Sequence, residues 1–139
     1  MVASTSFRIS NAARTRLAAR AAFEGTSATA LLDRLIVEGT DQLDYPGIVF
    51  RGPVHDRRAA LAGGADVWEV VARLQELAGP DEQRISLLAD ESALHPRLIR
   101  IAVDYAAEHP DDVLARIEQN RTLADRSRAA SSRRDALLG

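Results

Sequence analysis

Residues 4–10, Ser-Thr-Ser-Phe-Arg-Ile-Ser, alternate apolar and polar side chains. Phe7 and Ile9 fall on one side of an extended chain, while Ser6, Arg8 and Ser10 fall on the other. This period predicts a half-buried strand. No second run of that kind follows across residues 11–47. A strand without a neighbour leaves its backbone N–H and C=O groups unpaired, so the segment needs a partner from outside its own surroundings.

The residues that follow are helical in pattern. Ser10 or Asn11 is placed to cap a first helix, on which Ala13, Leu17 and Ala21 recur at i, i+4 and i+8. Arg14, Arg16 and Arg20 lie off that stripe, and Gly25 supplies a left-handed stop. Thr26 or Ser27 caps a second helix whose Ala28, Leu31, Leu32, Leu35 and Ile36 face inward, and Gly39 is expected to close it. One strand and two short helices make too small a core to stand alone. Two copies solve both problems. Each strand pairs antiparallel with its twin, the helices cover the apolar side, and Ser6, Arg8 and Ser10 are left pointing outward.

The stretch SFRISNAARTRLAARAAFEGTSATALLDRLIVEG resembles the ribbon-helix-helix proteins of the Arc/MetJ/CopG class, over residues 4–40. The resemblance implies a dimeric two-stranded ribbon that enters the major groove of double-stranded operator DNA. Carried over, it puts Ser6, Arg8 and Ser10 against base edges. The chemistry agrees independently, since a β-ribbon fits the major groove and an arginine there can bind guanine through two hydrogen bonds. The start of the second helix, at Thr26, Ser27 and Ala28, offers amides and a positive dipole end to a phosphate.

Residues 41–47, DQLDYPG, mark a boundary by composition. IVFR and RRAALAG then read as two short strands around a GPVHD loop. Four helix starts follow. Asp66 with Glu69 has capping-box spacing, Pro80-Asp81-Glu82 and His109-Pro110-Asp111-Asp112 share a proline-and-acid opening, and His95-Pro96 opens the helix between them. Val67, Val70, Val71, Leu74 and Leu77 form one apolar face, with Trp68 beside it as a core residue. Residues 45–120 resemble a helix-turn-helix-type domain of unknown function that occurs in VapB-like antitoxins beside PIN-like toxins. The resemblance rests on YPGIVFRG, DVWEVV and AVDYAAEHPDDV. It implies a recognition helix from Pro96 with Arg97 and Arg100 exposed, although both arginines also have Asp104 in reach along the same helix.

Charge separates the chain into three segments. Residues 1–37 carry five arginines against two acids, residues 38–120 carry eight against sixteen, and residues 121–139 carry five against two. A basic head and tail thus flank an acidic middle, which argues against the middle as the main DNA reader. Every basic residue other than histidine is arginine, which a GC-rich coding sequence also explains. Residues 1–22 hold four arginines and no acid, a composition that also suits a mitochondrial presequence; the alternating run and the Gly25 turn favour a folded module. From Arg121 the apolar period fades. The tail is expected to be mobile alone and to order against a partner.

The expected architecture is therefore mainly α: a ribbon-helix-helix module (1–44), a helical helix-turn-helix-like module with a short β-hairpin (45–120) and an Arg-rich tail (121–139). The resemblances imply a cytoplasmic type II antitoxin of the VapBC kind. It would bind operator DNA as a homodimer, or a higher oligomer, and neutralise a PIN-like ribonuclease. Arg121, Arg126, Arg128, Arg133 and Arg134 suit the acidic active-site cleft of such an enzyme. Alternatives are a free-standing regulator and a dimeric adaptor that does not bind DNA. No enzymatic activity, metal or cofactor is expected. The chain has no cysteine, its three histidines sit in a loop or before prolines, and no apolar run is long enough to span a bilayer.

Overall fold

The computed structural model describes residues 4–139; the first three residues of the expected 1–44 module lie outside it. The described residues form a mainly helical fold with one small antiparallel sheet. Helix α1 spans Asn11–Glu24 and α2 spans Ala28–Asp44. Ser10 caps α1, its Oγ accepting the Ala13 N–H at 3.1 Å, and Ser27 caps α2 in the same way through Ala30 at 3.0 Å. Between them Gly25 turns left-handed (φ 69°), and the Thr26 N–H reaches back to the Ala21 carbonyl at 3.0 Å.

Two local expectations change here. Gly39 does not close α2. Its φ is not positive, and the helix runs five residues further, to Asp44. The stop comes at Tyr45 (φ −125°, ψ 76°), because Pro46 disfavours a helical conformation in the residue before it. Residues 4–10 form neither helix nor paired strand within one chain. Phe7 is 82 % exposed there.

The second module opens with β1 (Ile48–Arg51) and β2 (Arg58–Leu61), paired in the register Ile48 to Leu61 and Arg51 to Arg58. Gly52 (φ 102°) turns the connecting loop, where a Cβ would stand 2.2 Å from the Asp56 carbonyl oxygen. Helices α3 (Val67–Glu76), α4 (Asp81–Ser92), α5 (Pro96–Glu108) and α6 (Pro110–Leu138) follow, α3 and α5 with side-chain caps and α4 and α6 with acids in the first turn. Asp66 and Glu69 form the expected capping box. Leu61, Val67, Ile99 and Ala102 lie at the centre of the core, with Val113 and Ile117 of α6 completing it. Trp68 packs against this core and donates its indole N–H to Asp66 at 3.3 Å.

The third change concerns residues 121–139. They are not a separate mobile tail but the second half of α6, a single helix of 29 residues and roughly 43 Å. Loss of apolar periodicity removes a face to bury, but it does not remove helix propensity. Alanine, arginine and leucine dominate this stretch, and neither proline nor glycine interrupts it before Gly139.

Candidate functional site

The first module exposes its basic groups unevenly. Ser6 and Arg8 lie exposed in the extended N-terminal segment, and Arg8 makes no ion pair or hydrogen bond among the described residues. Ser10 is partly diverted, since its oxygen caps α1 and only its O–H remains to donate. At the head of α2, the Thr26 amide is consumed by Ala21 and the Ser27 hydroxyl by Ala30. The Ala28 and Thr29 amides are left without intrachain acceptors among the described residues. They sit at the positive end of a 17-residue helix; Ala28 is one of the three positions read from the sequence, and Thr29 joins it.

Arg34 is not part of any outward basic surface. Its Nη2 donates to both Glu24 oxygens at 3.1 Å, while its Nε stands 3.8 Å from Glu38. Glu38 in turn accepts two hydrogen bonds from Arg57 of the hairpin loop, at 2.6 and 2.9 Å. Arg116 of α6 grips the same loop, donating to Asp56 Oδ1 and to the Arg57 carbonyl, each at 3.0 Å. One chain of charges thus runs from α1 through α2 and the loop to α6. Burial works to raise the Glu24 carboxyl, but Arg34 and Arg20 outweigh it and hold the group below its ordinary range. The Arg116 hydrogen bond, against a smaller opposing effect of desolvation, does the same for Asp56. Apart from the i, i+4 pairs Arg20–Glu24 and Arg34–Glu38, the links of this chain join residues far apart in the sequence and leave no spacing to read.

Two clefts open on the surface of the described residues. One, of about 510 Å³, lies between α2, the hairpin and the ends of α5 and α6, and is lined by Arg34, Glu38, Asp41, Arg57, Tyr105 and His109. Tyr105 stacks on His109 (4.4 Å between rings) and meets Tyr45 edge-on (5.4 Å); burial pushes its phenol up to about 12. The other, of about 520 Å³, is an apolar trough among α3, α4, α5 and α6, with Asp81, Glu82, Arg100 and Asp104 at its polar edge. Among the described residues no three His, Cys, Asp or Glu side chains converge as a metal site. Among the described residues no helix is long and apolar enough to cross a membrane.

Helix α5 carries the core on its inner face through Ile99, Ala102, Tyr105 and Ala106. Arg97 is exposed, and Arg100 pairs with Glu82 of α4 at 2.7 Å rather than with Asp104 on its own helix. His95 caps α5, its Nδ1 accepting the Arg97 N–H at 3.0 Å. The five arginines of the C-terminal half of α6 divide into two sets. Arg121 donates to Gln75 of α3 at 3.0 Å, and Arg128 pairs with Asp125. Arg126, Arg133 and Arg134 have no partner among the described residues and share an arc with Leu123, Ala130 and Leu137 at i, i+7 and i+14. No protein-family model, curated protein or solved structure matches the chain.

Proposed function

We propose that the chain is a dimeric ribbon-helix-helix DNA-binding protein, and specifically the antitoxin and autorepressor of a VapBC-like pair acting in the cytoplasm. The observation that carries this reading is the unfinished core of the first module. Residues 4–44 bury only Ala21, Leu31 and Glu38, while Phe7, Leu35 and Ile36 remain exposed in a single chain. Burying one such side chain is worth about 2 kcal/mol, so the surface is stabilised by association. Pairing residues 4–10 with their twin supplies the missing strand neighbour and leaves Ser6 and Arg8 on the outer side, where they meet base edges. The unpaired amides of Ala28 and Thr29 then receive a phosphate.

The toxin-facing element is the C-terminal half of α6. Its three unpartnered arginines beside a narrow Leu-Ala-Leu stripe suit a groove with an apolar floor and a carboxylate-lined rim, the chemistry of a PIN-like active site. The acidic composition of residues 38–120 favours protein contact over DNA contact for the middle module.

The test is a gel-shift with the chain's own promoter, combined with sedimentation. Arg8→Ala is expected to lower operator affinity at least tenfold and leave the dimer intact. A dimeric adaptor would show no DNA binding before or after the substitution. A free-standing regulator would bind the operator but no PIN-like nuclease encoded beside it.

A further inference from the structure

The trough among α3, α4, α5 and α6 has apolar walls of Val71, Leu74, Ile85, Val103 and Leu114, and its polar edge is unevenly answered. Arg100 is held by Glu82 at 2.7 Å, and the Arg84 Nε donates to the Gly79 carbonyl at 2.8 Å. Asp81 and Asp104 are exposed and make no hydrogen bond or ion pair among the described residues. The trough therefore offers an apolar floor with two free carboxylates beside it.

The far end of α6 carries the opposite pattern. Leu137 is 83 % exposed, and Arg133 and Arg134 stand one turn before it, at i−4 and i−3. Neither arginine has a partner among the described residues. An apolar knob with two free guanidinium groups matches, in hydropathy and in charge, an apolar trough with two free carboxylates. One chain cannot bring the two together. Leu114 lines the trough, and Leu137 lies roughly 35 Å further along the same unbroken helix. The knob of one copy reaches only the trough of another.

We propose that the C-terminal end of α6 seats in the trough of a second copy of this chain, with Leu137 on its apolar floor and Arg133 and Arg134 on its Asp81 and Asp104. The contact is separate from the N-terminal ribbon and needs neither DNA nor a toxin. A nuclease that takes the same end of α6 competes for it. One leucine and two exposed ion pairs make a weak contact. It fills at high chain concentration, or where another contact already holds two copies near each other, and a melt in dilute solution does not report it.

The chain has no cysteine, so cross-linking tests the contact directly. Full-length Leu137→Cys chains are mixed with full-length Ala107→Cys chains, Ala107 being an exposed residue of the trough, and left to exchange partners in a glutathione redox buffer. The mixed disulfide is expected to dominate over both like-with-like products. Adding Arg133→Glu and Arg134→Glu to the first chain should lower its yield at least tenfold, and adding Asp81→Arg and Asp104→Arg to the second should restore it. A mixed product no more abundant than the like-with-like ones, a yield indifferent to the charge reversals, or a loss that the reversed carboxylates do not rescue overturns the proposal and leaves operator binding by the ribbon standing. A gel-shift without operator binding, beside an intact mixed cross-link, overturns the DNA reading alone.

Discussion

Arg57 holds Glu38 by two edges, Nε to Oε2 at 2.9 Å and Nη2 to Oε1 at 2.6 Å, and thereby ties the hairpin loop to the middle of α2. Both groups are mostly withdrawn from water, and Arg57 also donates to the Gly52 carbonyl. Breaking such a pair from one side leaves the other charge without its principal partner. Arg57→Ala is expected to cost about 2 kcal/mol, less than a fully buried pair because Arg57 keeps a quarter of its side chain exposed. Glu38→Gln, which keeps the shape, should cost less. In urea melts the double substitution should cost less than the sum of the singles; strict additivity would show that the two groups are not coupled.

Acid should weaken the fold through Glu24 and Asp56. Both carboxyls are held below their ordinary values of 4.5 and 3.8 by arginine partners. The folded chain therefore binds fewer protons than the unfolded one in this range. The stabilisation is complete above pH ~5 and is lost as pH falls through the lowered folded values. Arg116→Met should flatten the Asp56 part of that profile, and an unchanged acid limb in this variant would refute the assignment. At the alkaline end the Tyr105 phenol is pushed up to about 12, so stability should decline from pH ~10 as the unfolded chain loses that proton first.

Ser27 separates helix capping from anion binding. Ser27→Ala removes the bond to the Ala30 amide and should lower stability by about 1 kcal/mol. Ser27→Asp keeps an acceptor at the cap and should melt close to wild type. It also sets a negative charge beside the Ala28 and Thr29 amides, so operator binding should fall although the fold is intact. Equal DNA affinity for Ser27→Asp and wild type would rule out a phosphate at this position.

Removing residues 121–139 should leave the core almost untouched. Among the described residues the Arg121–Gln75 hydrogen bond joins this half of α6 to α3, and exposed contacts of this kind are worth about 0.5 kcal/mol or less. The melting curve of the shortened chain is expected to overlay that of the full one, while capture of a PIN-like nuclease is lost. Retained capture would move the toxin contact to the acidic module.

What was legible in the sequence was what is decided locally. The starts at Asp66, Pro80, His95 and His109 follow from capping groups within three residues of one another, and the hairpin follows from two short apolar runs around Gly52 and Pro53. Gly39 was misread because a glycine stops a helix only when its backbone turns left-handed, and composition does not reveal φ. The C-terminal half of α6 continues a helix that the sequence expects only against a partner, because its helix formers come without an apolar face. The charge chain was invisible for another reason: Glu38 and Arg57 are 19 residues apart, and Asp56 and Arg116 are 60 apart. Pairings at such range are made by the fold and leave no spacing to find. Arg100 shows the same, having an acid nearby on its own helix yet choosing Glu82 across the helix packing.

Helix α2 runs unbroken from its cap at Ser27 to Asp44, and only Tyr45, Pro46 and Gly47 separate it from β1. The two halves of the protein are therefore joined by a shared axle instead of a tether. A twist applied at the Ser27 end of α2 has only those three residues to cross before it reaches the hairpin. The separation between the Ser27 cap and the hairpin is thus set by the length of a rod.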